Sequence, residues 1–523
     1  MKKKPSFIPY NPDQITFLPP SLEDLIPPNH VVRIVNKAID NIDLSSLTAK
    51  YKGGGRSSYN PIMMLKIIIY AYVEKIYSCR KIEKACRENI MFMWLSGGAK
   101  PDFITINRFR SERMKGVLLD IFTEIVALLA EERYIDLNNY FLDGTKIEAN
   151  ANKYSFVWGK STKRYKENLR KKCIELFAEI EKANQDENAE YGEMNLEELG
   201  IGEEINAETI KAVSARINEK LKQQPKNRTL KKSKRLLERE YLPRMEKYEK
   251  QEEILAERRS YSKTDHDATF MRMKDDHMGN GQLKPGYNVQ IGTENQFILN
   301  YSVHQNAGDT SCMQEHLERA KTVLGKLPNN ICADAGYGSE ENYEYLKLEN
   351  VNNYVKYSTF HKEDTKKWKY DITKVQNFKY NEEADEYVCG YGRTLKFVHE
   401  KIKKSKNDYE STIRVYRSIC CKGCPHKAQC IKSENPDANR EISINRRLNE
   451  LKLEAKKNLT SEKGIELRSK RPIEPESVFG NIKANFQMRR FLLRGLEKVD
   501  LEWGLFCIAH NMRKMATATV PNV

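Results

Sequence analysis

The chain has 523 residues, 39% hydrophobic and 31% charged, with a formal net charge of +16. That length suggests roughly three domains. No apolar run reaches the ~18 residues of a membrane span, and no apolar stretch follows the basic start "MKKKPSFIPYNPDQITF", so neither a membrane protein nor a secreted one is expected and the protein is placed in the cytoplasm. The positive charge favours polyanions, nucleic acid first. An odd count of eleven cysteines argues for reduced thiols.

Residues 1–50 mix Pro-rich turns with a helix near Val31 to Ile42. "PIMMLKIIIYAYVEKIY" predicts a strong helix with Pro61 in its first turn, and Ser78 is placed to cap the next, "CRKIEKACREN". Two further helical pieces run to about Arg133. Arg80, Lys81, Arg108 and Arg110 on these short helices suit either a helix-turn-helix-like DNA reader or the solvated face of a plain bundle.

Strand character returns at 134–149, "YIDLNNYFLDGTKIEA". From about 160 to 258 the chain is Lys/Glu/Arg/Leu-rich and nearly free of glycine, which predicts long amphipathic helices and a hairpin or coiled-coil arm. "ATFMRMK" and "GYNVQIGTENQFILNYSVHQN" read as strands, the second as a hairpin turning at "TENQ". A helix near 311–325, the short strand Ile331–Ala333, a helix from Ser339 and the strand "NNYVKYS" follow. Residues 360–465 read as irregular, strand-poor and Cys-bearing, and a last helical block spans about 476–516. The expected fold class is α/β: one mixed sheet interrupted by a helical and an irregular segment.

Three acids stand out. Asp143 ends an apolar strand in "YFLDGTKIEA", Asp334 ends another in "NNICADAGYGSEENYEYL", and Glu476 opens a helical pattern in "RPIEPESVFGNIKANFQMRRFLLRG". Each has a structural reading: an Asp-Gly hairpin turn, a turn cap, an acid at the positive end of a helix dipole. Together they suit a different job. Divalent magnesium takes hard oxygen ligands, and a pair of such ions activates the attacking oxygen and stabilises the leaving one in phosphoryl displacement. Lys483, Arg490 and Arg494 recur near helical spacing after Glu476, so a basic stripe is expected beyond the acid, where a DNA backbone would meet it.

"YFLDGTKIEANANKYSFVWGKS", "KTDHDATFMRMK", "LKPGYNVQI", "ADAGYGSEENY", "PESVFGNIKANFQMRRFLLRG" and "CIAHNMRKM", in this order, resemble bacterial insertion-sequence transposases with an Asp-Asp-Glu (DDE) triad. The resemblance covers most of the chain, "GRSSYNPIMML" included. It implies an RNase H-like catalytic sheet flanked by helices, two Mg²⁺ or Mn²⁺ ions per site, cleavage at terminal inverted repeats, strand transfer to target DNA, and a homodimer. Residue by residue, Asp143 and Asp334 match the two aspartates, Glu476 the glutamate before "VFG", and Lys483 the lysine of the closing signature. Arg471 lies near that signature's arginine, at a different spacing from the commonest pattern. The segment at 160–258 is not general in the family.

Cys389, Cys421, Cys424 and Cys430, in "YVCGYG" and "CKGCPHKAQC", resemble a four-cysteine structural zinc site; the other reading is reduced thiols in a loop. Asp265, Asp267, Asp275, Asp276 and His277 read as solvated turn residues, His304 and His510 as structural. Tyr154, Phe156 and Trp158 suit burial better than base stacking, and Lys284 and Asn288 are placed towards substrate. The expected division is 1–133 for a helical DNA-binding domain, 134–159 with 259–359 and 466–523 for the catalytic sheet, 160–258 for the arm and 360–465 for the Cys-rich insert. The competing functions are a DNA-binding protein that has lost catalysis and a host nuclease on the same fold.

Overall fold

Three apolar side chains in a row, Tyr140, Phe141 and Leu142, are buried where the chain crosses the molecule as its central strand, β1 (Asn139–Glu148). The computed structural model describes residues 21–51, 58–191, 205–273, 282–433, 435 and 437–518, without the side chains of 181–191. After β1 come a short ribbon, β2 (Phe156–Trp158) with β3 (Ser260–Ser262), then β4 (Thr269–Arg272), β5 (Leu283–Glu294), β6 (Phe297–His304), β7 (Asn330–Ala333) and β8 (Asn352–Val355). β1 pairs antiparallel with β5 and parallel with β7; β7 pairs parallel with β8, and β5 antiparallel with β4 and β6. The sheet is therefore mixed, with β1 at its centre.

The β5–β6 hairpin turns at Asn295 and Gln296, both at positive φ (53° and 64°), the pairing a two-residue hairpin favours because it matches strand twist. The adjoining Glu294 carboxylate accepts the backbone N–H groups of Asp136, Leu137, Asn138 and Asn139 at 2.6–3.1 Å. One buried side chain thus fixes the entry of β1.

Helix Pro61–Val73 is apolar almost all round, Lys66 being its one charged residue, with Asn60 capping its N-terminus and Pro61 at its first turn. It packs on helix Leu496–Met515, which covers β6, with the Tyr72 and Phe506 rings 5.1 Å apart. A helix apolar almost all round must be enclosed, and the buried side chains of the N-terminal helices and the sheet form one continuous cluster. Ser78 sits at the start of helix Cys79–Glu88 but makes no side-chain cap, so the expected cap is not made.

The 160–258 segment folds as a small bundle: helices Gly159–Tyr191, Ala207–Gln223, and Arg228–Leu236 continuing through a π-helical turn into Leu242–Leu255. Leu169, Cys173, Ile210, Ile217, Leu237 and Met245 form a core separate from the sheet's. The chain enters and leaves it side by side through the β2–β3 ribbon, Trp158 opposite Ser260.

Residues 360–465 overturn the strand-poor reading. They hold a five-stranded antiparallel sheet, β9 (Lys379–Asn381), β10 (Glu386–Val388), β11 (Thr394–Lys404), β12 (Glu410–Ser418) and β13 (Glu441–Ile444), followed by helix Arg446–Thr460. β11 is exposed along nearly all its length, so "TLKFVHEKIKK" lacks the apolar alternation that announces a half-buried strand. The block at 476–516 is also corrected. A helical run starts at Glu462, passes through π-helical turns at Pro472–Glu476 and Asn481–Asn485, and stops; helix Leu496–Met515 begins anew. Pro475 lies inside this run and not at a helix start. A proline lacks the donor that a regular α-turn needs, and the widened π-turn is where the run accommodates it. Among the described residues no helix is long and apolar enough to cross a membrane.

Candidate active site

β1 does not stop at Asp143. Gly144 stays in the strand, opposite Gln290, so "DG" is no hairpin turn. A Cβ on Gly144 would lie 2.2 Å from the Gln290 amide; the glycine makes room for that side chain. Asp334 follows the last residue of β7 and stands at the N-terminus of a 3₁₀ turn, yet its side chain caps nothing. Glu476 lies within a continuing helical run, not at a helix's first turn. The local explanations for all three acids thus fail on geometry.

What the acids share is Arg471. Its guanidinium is 3.2 Å from Asp143, 3.4 Å from Asp334 and 3.2 Å from Glu476. Lys356 approaches Asp334 at 3.8 Å. The side chain of Arg471 is only 5% exposed and that of Asp143 12%, whereas those of Asp334 and Glu476 are 50% and 54% exposed. The cluster is therefore rooted in the protein on one side and open to solvent on the other. Three carboxylates this close repel one another, and a cation at their focus is what makes the arrangement tolerable. Arg471, carried over from the sequence on weak spacing, is buried in the cluster rather than set on a surface stripe. Lys356 escaped the sequence reading because nothing in "NNYVKYS" marks it; only the parallel β7–β8 pairing brings it there.

A buried polar network holds this ground. The amides of Asn288 and Gln290, both fully buried on β5, donate to Asp309 at 2.8 and 3.1 Å. The Tyr337 hydroxyl donates to Gln290 Oε1, and burial with nearby carboxylates raises its pKa well above the ordinary phenol value. Thr310 Oγ1 donates to Gly336 O at 2.6 Å. Strand β5, paired beside Asp143 through Ile291, is thereby tied to the turn that carries Asp334. Asn288 consequently faces inward, not towards substrate, and Lys284 is engaged with Glu148 at 3.5 Å.

The helical spacing of the basic stripe is corrected, although Arg490 and Arg494 are exposed. Lys483 lies partly exposed on the turn Asn481–Asn485, but the helix ends before Arg490. Arg490 donates to the carbonyls of Ala149 and Ala151 at 3.0 and 2.9 Å, and Arg494 to Asn150 O at 2.7 Å. These two arginines fasten the connection after Phe486 to the end of β1. The buried Glu502 completes the fastening by accepting the N–H groups of Leu492 and Leu493 at 2.9–3.1 Å.

Asp265, read as solvated, is 3% exposed; it accepts Tyr287 Oη at 3.0 Å and Gly495 N at 3.2 Å, and burial raises its pKa. Asp275, Asp276 and His277 lie outside the described residues. His304 and His510 are buried and hydrogen-bonded, as expected of structural histidines. Tyr154 is 80% exposed and Phe156 44%, against the expected burial. In the N-terminal helices Arg110 is buried and donates to Tyr77 O at 3.0 Å, whereas Arg80, Lys81 and Arg108 are exposed. The second sheet brings Cys389, Cys421, Cys424 and Cys430 to the wall of one cavity of about 30 Å³. Among the described residues no group of three or more His, Cys, Asp or Glu is placed so that it could hold a metal ion as it stands.

The donor chemistry at the acid cluster nonetheless fits a hard divalent cation: carboxylate oxygens only, already focused on one positive group, with one side open. DDE transposases generally use such ions.

Residues 388–516 match the family described as "Transposase DDE domain", and residues 20–112 the family described as "Transposase domain (DUF772)". The first match contains Glu476, Arg471 and Lys483; Asp143 and Asp334 lie outside both. No curated protein and no solved structure matches the chain. Both matches are to transposase families, at opposite ends of a chain whose helices share one core, and they support an insertion-sequence DDE transposase.

Proposed function

We propose that this transposase cuts DNA at the terminal inverted repeats of its element and joins the freed 3′ end to target DNA, using Asp143, Asp334 and Glu476. The observation that carries the reading is the convergence of these acids, from β1, the end of β7 and the helical run after Glu462, on one guanidinium within 3.2–3.4 Å. The strand order β6–β5–β1–β7–β8, with β5 and β6 antiparallel and β7 and β8 parallel, supports an RNase H-like sheet with the acids at its centre.

Asp143, Asp334 and Glu476 would hold Mg²⁺ or Mn²⁺, which when bound supply activation of the attacking oxygen and stabilisation of the leaving one. Asp143, the most enclosed, is the fixed member, held by pairing on both sides of β1. Asp334 and Glu476 present their carboxylates from the solvent side, where a DNA phosphate can reach them. Arg471 offsets the acids' mutual repulsion, and Lys356 adds positive charge beside Asp334. The partners are inverted-repeat and target DNA, and a homodimer follows from the need to hold two ends together.

The test is incubation of the purified protein with labelled inverted-repeat DNA and Mg²⁺ or Mn²⁺. Cleaved and joined strands are expected. Asp143→Asn and Asp334→Asn should each abolish both products while leaving end binding largely intact. Cleavage without joining would favour a nuclease, and binding with neither product a protein that has lost catalysis. A variant that cuts at near the wild-type rate removes its residue from the site.

A further inference from the structure

We propose that Cys389, Cys421, Cys424 and Cys430 bind one zinc ion as thiolates, and that this ion fastens the second sheet. The inference does not depend on the reaction at the acid cluster. Topology supplies the first argument. Cys389 follows β10, and the other three lie between β12 and β13. Antiparallel pairing of β10, β11 and β12 brings these segments, about thirty residues apart in sequence, to one cavity wall.

The local backbone supplies the second. Cys421 and Cys424 flank a tight turn in which Gly423 takes φ +72° and Cys424 N donates to Cys421 O at 3.3 Å. Cys389 opens a similar turn: Gly392 has φ +79° and its N–H reaches Cys389 O at 2.8 Å. Left-handed glycines let the chain curl around a sulfur. Two of the sulfurs already accept backbone N–H groups, Cys389 Sγ from Arg393 and Cys421 Sγ from Arg440, each at 3.3 Å. Such outer hydrogen bonds orient metal-bound thiolates and offset their charge.

Energetics supply the third. Among the described residues Phe378, Leu395, Tyr416, Ile442 and Ile444 form the buried cluster of this five-stranded sheet, and Val415 is also buried. A core of that size contributes little, and small sheets of this kind usually need a staple. All four cysteines are free thiols. Because these side chains do not make a metal site as they stand, binding requires them to rotate into the cavity they line. Each Zn–S bond forms as one thiol proton leaves to solvent, so four thiols and Zn²⁺ give four protons and a site of net charge −2. Arg393, Lys427 and Arg440, which line the same cavity, offset that charge. Tetrahedral four-sulfur sites select zinc among divalent cations, or iron; a structural role without electron transfer favours zinc. Cys420 is exposed and absent from the cavity wall, so it is excluded and serves as a control.

The experiment uses the full chain, purified without chelator. Elemental analysis should find about one zinc per chain, as a single four-ligand site requires. Replacing zinc with Co²⁺ should produce the intense near-ultraviolet sulfur-to-cobalt absorption of a thiolate site. This reading is made on the wild-type protein, so it does not depend on any variant folding. Cys424→Ser and Cys389→Ser should lose most of the bound metal, and Cys420→Ser should keep it. Wild-type protein that carries no zinc and gives no cobalt–thiolate band would overturn the proposal. So would zinc retained by both Cys389→Ser and Cys424→Ser, iron in place of zinc, or a disulfide between any two of the four.

Discussion

Glu474 and Glu476 stand two residues apart, and composition cannot tell which serves the acid cluster. Their surroundings can. Glu474 is 7% exposed and accepts Gln296 N at 2.7 Å; burial raises its pKa. It ties the helical run to the β5–β6 turn and faces away from the acids. Glu476 meets Arg471 with half its side chain in solvent. Glu476→Gln should therefore eliminate strand cleavage without loss of fold, whereas Glu474→Gln should lower the melting temperature and reduce cleavage only modestly. Assayed side by side on pre-cut and uncut ends, the opposite ranking would transfer the role to Glu474. A helix that opens at Glu476, as the sequence pattern predicts, does not form: Pro475 is interior, and the orientation of Glu476 comes from π-helical turns that no spacing rule marks. Arg471 shows the same limit. Its spacing to Glu476 was a weak signal, and its place among three carboxylates depends on elements more than 300 residues apart in sequence.

At the scale of elements, the helical arm tests whether a segment can be removed as a unit. Its core is separate from the sheet's, and its two ends meet at the β2–β3 ribbon, with Gly159 N donating to Arg259 O at 2.9 Å. Replacing it by a short turn between β2 and β3 should leave the sheet's melting transition in place. The expected loss is synapsis of two ends or dimer formation, measured by native mass and paired-end complexes. A deletion that still joins strands fully would show the arm to be dispensable. The arm was legible because a long glycine-poor, Leu-spaced run has few alternatives to helix. The second sheet was not, because β11 exposes both faces and reads as a polar linker.

At the scale of the whole molecule, buried ionisable groups set the pH dependence of stability. His510 is buried with Asn481 Nδ2 3.0 Å from Nδ1 and Gln296 O 2.9 Å from Nε2, so the neutral ring accepts from the first and donates to the second. Burial depresses its pKa to about 4; burial also holds His316 well below the usual histidine value. In the unfolded chain both take a proton as pH falls through about 6.5, while the folded protein does not. His510 should thus cost about 1.4 kcal/mol of stability per pH unit between about 6.5 and 4, and His316 acts in the same direction. Buried Glu474, Asp265 and Glu502, with raised pKa values, work the other way: the folded state takes up their protons first, so they add stability as pH falls towards the ordinary carboxylate range. Comparing the wild type with His510→Gln by denaturant unfolding isolates the first effect. The variant should be less stable at pH 7, with the gap narrowing as pH falls to about 4. A gap that stays constant would mean that His510 does not titrate as its burial requires.

What the sequence by itself determined is the set of parts: a strong helix opening at Pro61, strands around Asp143 and Asp334, a hairpin turning at "TENQ", a glycine-poor helical segment, and a polycation. These follow from periodicity and turn chemistry, which act over a few residues. Only the tertiary structure decided which charged groups meet. Arg490 and Arg494, spaced like a DNA-binding stripe, spend donors on backbone carbonyls at the end of β1 because their helix stops at Asn485. Asp265, spaced like a solvated turn residue, is enclosed because the chain before helix Leu496–Met515 closes over it. Charge and polarity in sequence say that a group needs a partner. Whether water, a backbone carbonyl or another side chain supplies it depends on what packs there, and that is settled by contacts hundreds of residues apart.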